Sequence, residues 1–389
     1  VNRPLRPDAT VLALALVVLV GALAALWRAS PTPAPATESA DTAGLGGLLG
    51  PAAEGEGFAR VTGPAPLVFP RDHAAHPDHR SEWWYFTGNL RGADGGDYGF
   101  QLTLFRFALA PSAPPRESAW ATRQAWMGHF AITDIARGRH VAVERYQRGA
   151  LGLAGAEIRP IRVWLDDWQL QAEGPERLFP LTLEARDAPA GLDLRLRLTR
   201  DKPRVLQGEA GYSRKGEDPG NASRYYSYTR LAAEGSLRIA GREAEVRGSA
   251  WLDREWSTSA LDEGQAGWDW FALQLADGRD LMVYRLRRDD GATDPRSAGV
   301  LVGPEGAVRH LDADDFRVLP RRYWQSPDTG ARYPVDWRVV VPAADLSLDV
   351  TARLDAQEMP TSVRYWEGAV AVTGSAEGVG YLEMTGYDG

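Results

Sequence analysis

Cysteine is absent from all 389 residues, which excludes disulfide bonds, thiol catalysis, zinc–thiolate sites and a lipidated bacterial N-terminus. Basic residues are in the minority, 44 Lys+Arg against 52 Asp+Glu, and the net charge of -8 offers no overall positive field to a phosphate backbone. Nucleic acid is therefore not an expected partner. The sequence contains no G-x-S-x-G elbow, no H-E-x-x-H, no P-loop and no dinucleotide fingerprint. Serine hydrolase, zincin, NTPase and dehydrogenase chemistry thus lack their usual warrant, and no cofactor is expected. Gly44-Leu45-Gly46-Gly47-Leu48-Leu49-Gly50 has the wrong spacing for the last of these.

Apolar runs long enough to span a bilayer are missing after residue 27. Before it, Arg3 and Arg6 precede an unbroken small-apolar run over 11–27, closed by Arg28. This predicts a signal peptide or an N-terminal membrane anchor over 1–29, and with it an exported, periplasmic or extracytoplasmic protein. If retained, residues 11–27 would tether it to the inner membrane. Residues 30–60 are rich in Pro, Ala and Gly without periodicity and are expected to be a disordered tether.

What the chain has in quantity is aromatic surface: 14 Trp, 13 Tyr and 10 Phe. These suit a core or a pocket for an apolar ligand. Past residue 60 the apolar residues recur every second position. Leu192, Leu194, Leu196 and Leu198 alternate with charged or polar residues, and Leu346, Leu348, Val350, Ala352 and Leu354 do the same. Further strands are predicted over 83–90, 98–109, 125–135, 161–171, 225–231, 268–275, 281–286 and 333–341, with few helices. That is an all-β chain of antiparallel barrels or sandwiches. Glu82-Trp83-Trp84-Tyr85-Phe86, a Gly/Asp turn and a second strand resemble Trp268-Asp269-Trp270-Phe271 with its own Gly/Asp turn and Leu281-Met282-Val283-Tyr284, matching Trp84 with Trp270. A repeat this long implies two similar domains. They are expected over 61–245 and 246–389, with the boundary near 245, within about 15 residues.

Three segments carry candidate chemistry. In Arg71-Asp72-His73-Ala74-Ala75-His76-Pro77-Asp78-His79, the imidazoles of His73, His76 and His79 could bind a metal. His76-Pro77 forbids the helix that would gather the rings, so a polar loop without metal is the favoured reading. In Ser81-Glu82-Trp83-Trp84-Tyr85-Phe86, alternation puts Glu82, Trp84 and Phe86 on one face. Glu82 is then either a desolvated proton donor in a cavity or the partner of an arginine such as Arg106. In Trp251-Leu252-Asp253-Arg254-Glu255-Trp256, followed by Trp268-Asp269-Trp270, acids lie among tryptophans. That pattern suits protonation of a carbon–carbon double bond, with ring faces stabilising the cation, or a greasy grip without reaction, or an ion-pair network. His129 follows Trp126 in a strand. A lone histidine there is more often a satisfied core or rim group.

Phe69-Pro70-Arg71-Asp72-His73 running into Glu82-Trp83-Trp84-Tyr85-Phe86-Thr87-Gly88, with Gln101-Leu102-Thr103-Leu104-Phe105-Arg106 and Trp251-Leu252-Asp253-Arg254-Glu255-Trp256-Ser257 further on, resembles the AttH-like, lipocalin-like family that includes carotenoid 1,2-hydratases. The resemblance implies two lipocalin-like β-barrels and an apolar ligand cavity, in a family ranging from predicted secreted hydrolases to hydratases. It also implies a His-x-Trp and a Tyr-x-Asp in the hydratase site. Here these read Arg254-Glu255-Trp256 and Tyr284-Arg285-Leu286, so the proton donor must be sought at Asp253, Glu255 or Asp269. The expected catalytic set is Asp253, Glu255, Tyr284 and Glu82, and the expected ligand-binding set is Trp84, Trp126, His129, Trp251, Trp256, Trp268 and Trp270. The expected activity is binding of an apolar, isoprenoid or lipid-like molecule, with acid-catalysed hydration or hydrolysis if the protein is an enzyme. A non-catalytic lipid carrier or accessory factor of an envelope transporter is the alternative.

Overall fold

A computed structural model describes residues 57–112, 117–258, 261, 262 and 264–387. The expected leader over 1–29, and the tether as far as residue 56, lie outside the described residues.

The alternating segments form two curled, barrel-like antiparallel sheets. The first begins with β1 (Ser81–Gly92), β2 (Asp97–Ala108), β3 (Gln124–Asp134) and β4 (Arg139–Arg148). Shorter strands follow: β5 (Ala154–Ile158), β6 (Ile161–Leu165), β7 (Trp168–Ala172), β8 (Leu181–Asp187), β9 (Leu192–Arg200), β10 (Val205–Leu206) and β11 (Tyr212–Arg214). Two long strands, β12 (Ala222–Ile239) and β13 (Arg242–Ser257), complete it. The second sheet contains β14 (Gln265–Leu275), β15 (Asp280–Arg288), β16 (Ala298–Val302), β17 (Val308–Asp312), β18 (Arg317–Gln325), β19 (Arg332–Val341), β20 (Leu346–Ala352), β21 (Glu358–Met359), β22 (Tyr365–Gly374) and β23 (Gly378–Met384). Helix among the described residues is limited to three single 3-10 turns.

The strand order is β4-β3-β2-β1-β13-β12-β9-β8-β7-β6-β5 in one sheet and β17-β16-β15-β14-β23-β22-β20-β19-β18 in the other. In both, the first strand pairs with the last and the next three step outwards on its other side. The wiring is thus repeated. β13 stays in the first sheet as far as Ser257, so the chain passes to the second sheet after that residue and before β14. Side-chain orientation moves the repeat by one residue relative to the Trp84/Trp270 match. Glu82 pairs across its hairpin with Arg106, and Asp269 pairs in the same way with Arg285.

Alternation does the sorting. Along β9, Leu192, Leu194, Leu196 and Leu198 are buried while Arg195 and Arg197 face out. Residues 161–171, expected as one strand, form the hairpin β6–β7, because Asp166 adopts a positive φ of 54° and turns the chain. Each sheet wraps its own apolar core, with Trp84, Phe100 and Trp168 in the first and Phe271, Trp337 and Trp366 in the second. A third cluster, including Tyr85, Trp251, Trp270, Ala369 and Tyr381, lies between the sheets. Polar ties cross there as well. Asn89 Nδ2 donates to the Gly380 carbonyl at 3.0 Å, and Gln274 Nε2 donates to the Thr229 and Ala250 carbonyls at 2.8 and 3.0 Å.

Candidate functional site

The largely apolar space between the sheets, about 820 Å³ including its open mouth, is walled by the outer faces of both. The first sheet contributes Trp83 and Tyr85 from β1, Thr103 and Phe105 from β2, Tyr225 from β12, and Asp253 and Glu255 from β13. The second contributes Trp268 and Trp270 from β14, Tyr284 and Leu286 from β15, Tyr365 from β22 and Glu383 from β23. Lys215 and Leu261 reach in from connecting segments.

Register explains why these side chains meet. Ser227, Asp253, Tyr85, Thr103, His129 and Glu144 are successive cross-strand partners over β12, β13, β1, β2, β3 and β4. Direct partners project to the same face of a sheet, so one polar row crosses the chamber wall. On the facing sheet, Tyr284, Trp270, Glu383 and Glu367 form the corresponding row.

Asp253 is held by three donors: Tyr225 Oη on one oxygen, and Ser227 Oγ at 2.5 Å and Trp251 Nε1 at 2.7 Å on the other. Burial nonetheless outweighs them and pushes its pKa up to about 7. Tyr225 in turn accepts from Trp270 Nε1 at 3.3 Å. On the other wall, Glu383 accepts from Trp268 Nε1 at 2.7 Å, and burial raises it also to about 7. Behind it Glu367, 1% exposed, makes no well-formed hydrogen bond. Burial, followed by the charge of Glu383, holds it protonated far above the usual carboxylate range. Glu255 differs: Lys215 Nζ lies 3.5 Å from it and 4.2 Å from the centre of the Tyr284 ring. Burial opposes the lysine's charge, but Glu255 overcomes it and keeps the ammonium above its ordinary value. The chamber thus combines carboxylic acids that burial keeps protonated well above the ordinary carboxylate range with one compensated ion pair, under aromatic walls.

The site expected from sequence is only partly gathered here. Asp253, Glu255, Tyr284, Trp268 and Trp270 all line the chamber. Trp251 sits behind Asp253 as a hydrogen-bond donor. Glu82, Trp84, Trp126 and Trp256 instead face the interior of the first sheet, away from the chamber. Glu82 is fully buried between the guanidinium groups of Arg106 and Arg254, which outweigh burial and hold its carboxyl well below the usual range, so it is no proton donor. Trp84 donates to the His73 carbonyl at 2.8 Å and stacks with Trp126, while Trp256 stacks on His76 at 3.8 Å. Asp269 is likewise interior, paired with Arg285 at 2.7 Å. The three loop histidines have separate surroundings: His73 Nδ1 meets Tyr226 Oη at 2.7 Å, His76 lies between Asp72 and Glu82, and His79 Nδ1 is buried without a partner. Among the described residues no cluster of three or more His, Asp or Glu is arranged to hold a metal. His129 does not line the chamber, but Nδ1 lies 2.7 Å from Tyr365 Oη, which does.

Sequence reasoning missed Tyr225, Tyr365, Lys215 and Glu383. Glu383 had a signal, since Tyr381 and Glu383 alternate with Leu382 and Met384, whereas Lys215 sits in a loop with no pattern to mark it.

The AttH-like family model matches residues 60–387. Among solved structures, the chain is similar to an AttH protein of Nitrosomonas europaea, with 36% identity and a TM-score of 0.75 over 85% of this chain and 100% of that one. It shares its fold with kievitone hydratase of Nectria haematococca, with 13% identity and a TM-score of 0.63 over 84% of this chain and 95% of that one. No curated protein matches the sequence. With the model matched through both sheets and the Nitrosomonas protein covered end to end, the chain belongs to the AttH-like family.

Proposed function

We propose that the chamber binds an apolar, isoprenoid or lipid-like molecule and that Asp253 protonates it, so that water adds across a carbon–carbon double bond. The observation that carries this reading is a carboxylic acid whose pKa burial raises to about 7, set in an aromatic enclosure. Protonating an alkene needs an acid that still holds its proton at working pH, and a wall that stabilises the cation formed. Asp253 meets the first need. The ring faces of Trp83, Phe105, Trp268 and Trp270 meet the second. Tyr225, which lines the chamber and donates its hydroxyl proton to Asp253, stays bonded to the carboxylate left once the proton has gone to the alkene. The shared fold with kievitone hydratase supports a hydratase over a hydrolase. The apolar run over 11–27 supports an exported or membrane-tethered location, where an envelope lipid or isoprenoid is the ligand at hand.

The non-catalytic carrier remains the rival reading, favoured by one observation. Arg254 and Trp256, at the positions of the His-x-Trp pattern, point away from the chamber into the first sheet. Native mass spectrometry and organic extraction of the full chain, purified from its host's envelope, identify any bound lipid or polyene. That molecule, lycopene and a prenylated phenol are then offered to the protein, and a product heavier by one water is sought. Asp253→Asn should lower turnover by on the order of 10²–10⁴-fold while leaving N-phenyl-1-naphthylamine fluorescence in the chamber unchanged. Equal turnover by the variant removes Asp253 from the chemistry. Bound lipid without turnover by the wild type makes the protein a carrier.

A further inference from the structure

Hydration requires a base as well as an acid, since the attacking water must lose a proton. We propose that Tyr365, His129 and Glu144 form a hydrogen-bonded relay that takes this proton from water in the chamber and delivers it to the protein surface. The inference rests on the reading of the chamber as a hydration site.

Tyr365 comes from the second sheet and lines the chamber. Its hydroxyl lies 2.7 Å from His129 Nδ1, and His129 Nε2 lies 2.9 Å from Glu144 Oε1. The carboxylate fixes the tautomer. With Nε2–H donating to Glu144, the neutral ring has a bare Nδ1, which must accept from Tyr365. Complete burial keeps the ring neutral, holding its pKa below the ordinary histidine value. Phe105 fixes the ring's angle by packing edge-on at 5.2 Å.

Glu144 is built to remain charged. Ser362 donates its backbone N–H at 3.2 Å and its Oγ at 2.8 Å, and Tyr146 Oη donates at 3.0 Å. Burial opposes the charge, but the donors His129 and Ser362 outweigh it and the carboxyl stays below its usual range. Its side chain keeps 16% exposure, so this end of the relay reaches solvent. A histidine that served packing alone would need neither a chamber-lining hydroxyl on one nitrogen nor a charged, solvent-touching carboxylate on the other. The arrangement has the logic of nucleophile, base and orienting acid.

In the step proposed, Asp253 gives its proton to the alkene carbon and water bonds to the cation. The oxonium proton then passes to Tyr365 Oη as the tyrosine's own proton moves to His129 Nδ1. The imidazolium formed is stabilised by Glu144 and loses its Nε2 proton to solvent there. The relay is reset when Nε2 regains a proton from solvent through Glu144 and the Nδ1 proton returns through Tyr365 and chamber water to Asp253, so that one proton leaves and one enters per turnover. Tyr365 is the catalytic member, and His129 and Glu144 position it.

The test uses the full chain and the alkene that the wild type hydrates. Tyr365→Phe should lower kcat by on the order of 10²-fold or more with KM and naphthylamine binding unchanged. Glu144→Gln, which permits the other ring tautomer, should lower kcat in the same direction. ¹⁵N NMR is tractable with six histidines and His129→Gln as the assignment control. It should show His129 neutral, protonated at Nε2, with Tyr365→Phe moving the Nδ1 shift. A ring protonated at Nδ1, or an active wild type whose Tyr365→Phe variant is equally fast, overturns the relay alone. A wild type that hydrates none of the alkenes overturns the hydration reading and the relay together.

Discussion

Glu82 and Asp253 lie on paired strands, both all but sealed from water, and they carry opposite charge states. Glu82 faces two arginines inside the sheet and stays ionised, whereas Asp253 faces the chamber with only neutral donors and holds its proton. The pH dependences therefore have opposite signs. Between an ordinary carboxylate value of about 4 and about 7, folded Asp253 is protonated while the unfolded residue has ionised, so its contribution to stability falls as pH rises. Asp253→Asn cannot ionise. Its melting temperature relative to wild type should rise from about pH 5 to about pH 8, and a flat difference would refute the raised pKa. For Glu82 the lowered pKa stabilises the fold above its ordinary value, and that stability is lost only in acid. Glu82→Gln leaves Arg106 and Arg254 buried without a counter-charge, and denaturant melts near neutral pH should show a loss of about 3–5 kcal/mol. The sequence offered Arg106 as one of two fates for Glu82. What it could not offer was Arg254, more than 170 residues away along the chain.

At the scale of the strand, alternation was legible and its consequence was not. β13 reads as one cluster of acids and tryptophans, yet the pleat sends Trp251, Asp253 and Glu255 towards the chamber side and Leu252, Arg254 and Trp256 inwards. Both faces are buried, so polarity alone cannot say which one looks into a site. That is decided by the second sheet laid over the first. The same applies to β1, where the sequence singles out the face with Glu82 and Trp84 and the face with Trp83 and Tyr85 lines the chamber. The sheets approach each other closely where Gly99 on β2 meets β22 and β23. A Cβ at Gly99 would stand 2.9 Å from Tyr381 Oη and 3.0 Å from Ala369 Cβ. Gly99→Val should therefore wedge the sheets apart, costing about 1–3 kcal/mol and weakening naphthylamine binding in the chamber. Unchanged binding would mean that the chamber does not depend on this contact.

Over the whole molecule, the sheets are joined by charge as well as by packing. Asp280 on β15 is fully buried and accepts from Thr229 at 2.8 Å, with Lys202 at 2.7 Å and Arg230 at 2.6 Å. All three partners precede Ser257, in the part of the chain that forms the first sheet. Asp280→Asn strands those cations and should cost roughly 3 kcal/mol, the low end for a broken buried pair because Arg230 keeps some solvent. All described residues fall in one compact unit, so wild-type unfolding followed by tryptophan fluorescence and by far-ultraviolet circular dichroism should give coincident curves. Separated curves would show that each sheet stands alone.

The repeated wiring bears on how such a chamber can arise. One sheet presents one wall, and an enclosure of this design needs two. Two identical copies meeting face to face would have to carry every acid in duplicate, in equivalent places. Joined in a single chain, the walls are free to diverge: Asp253 with its three donors stands on one, and Glu383 backed by Glu367 on the other. A ligand lying between them meets different chemistry on its two sides, so it can be held in one orientation, and the position of the attacked bond follows from which end of the ligand enters first.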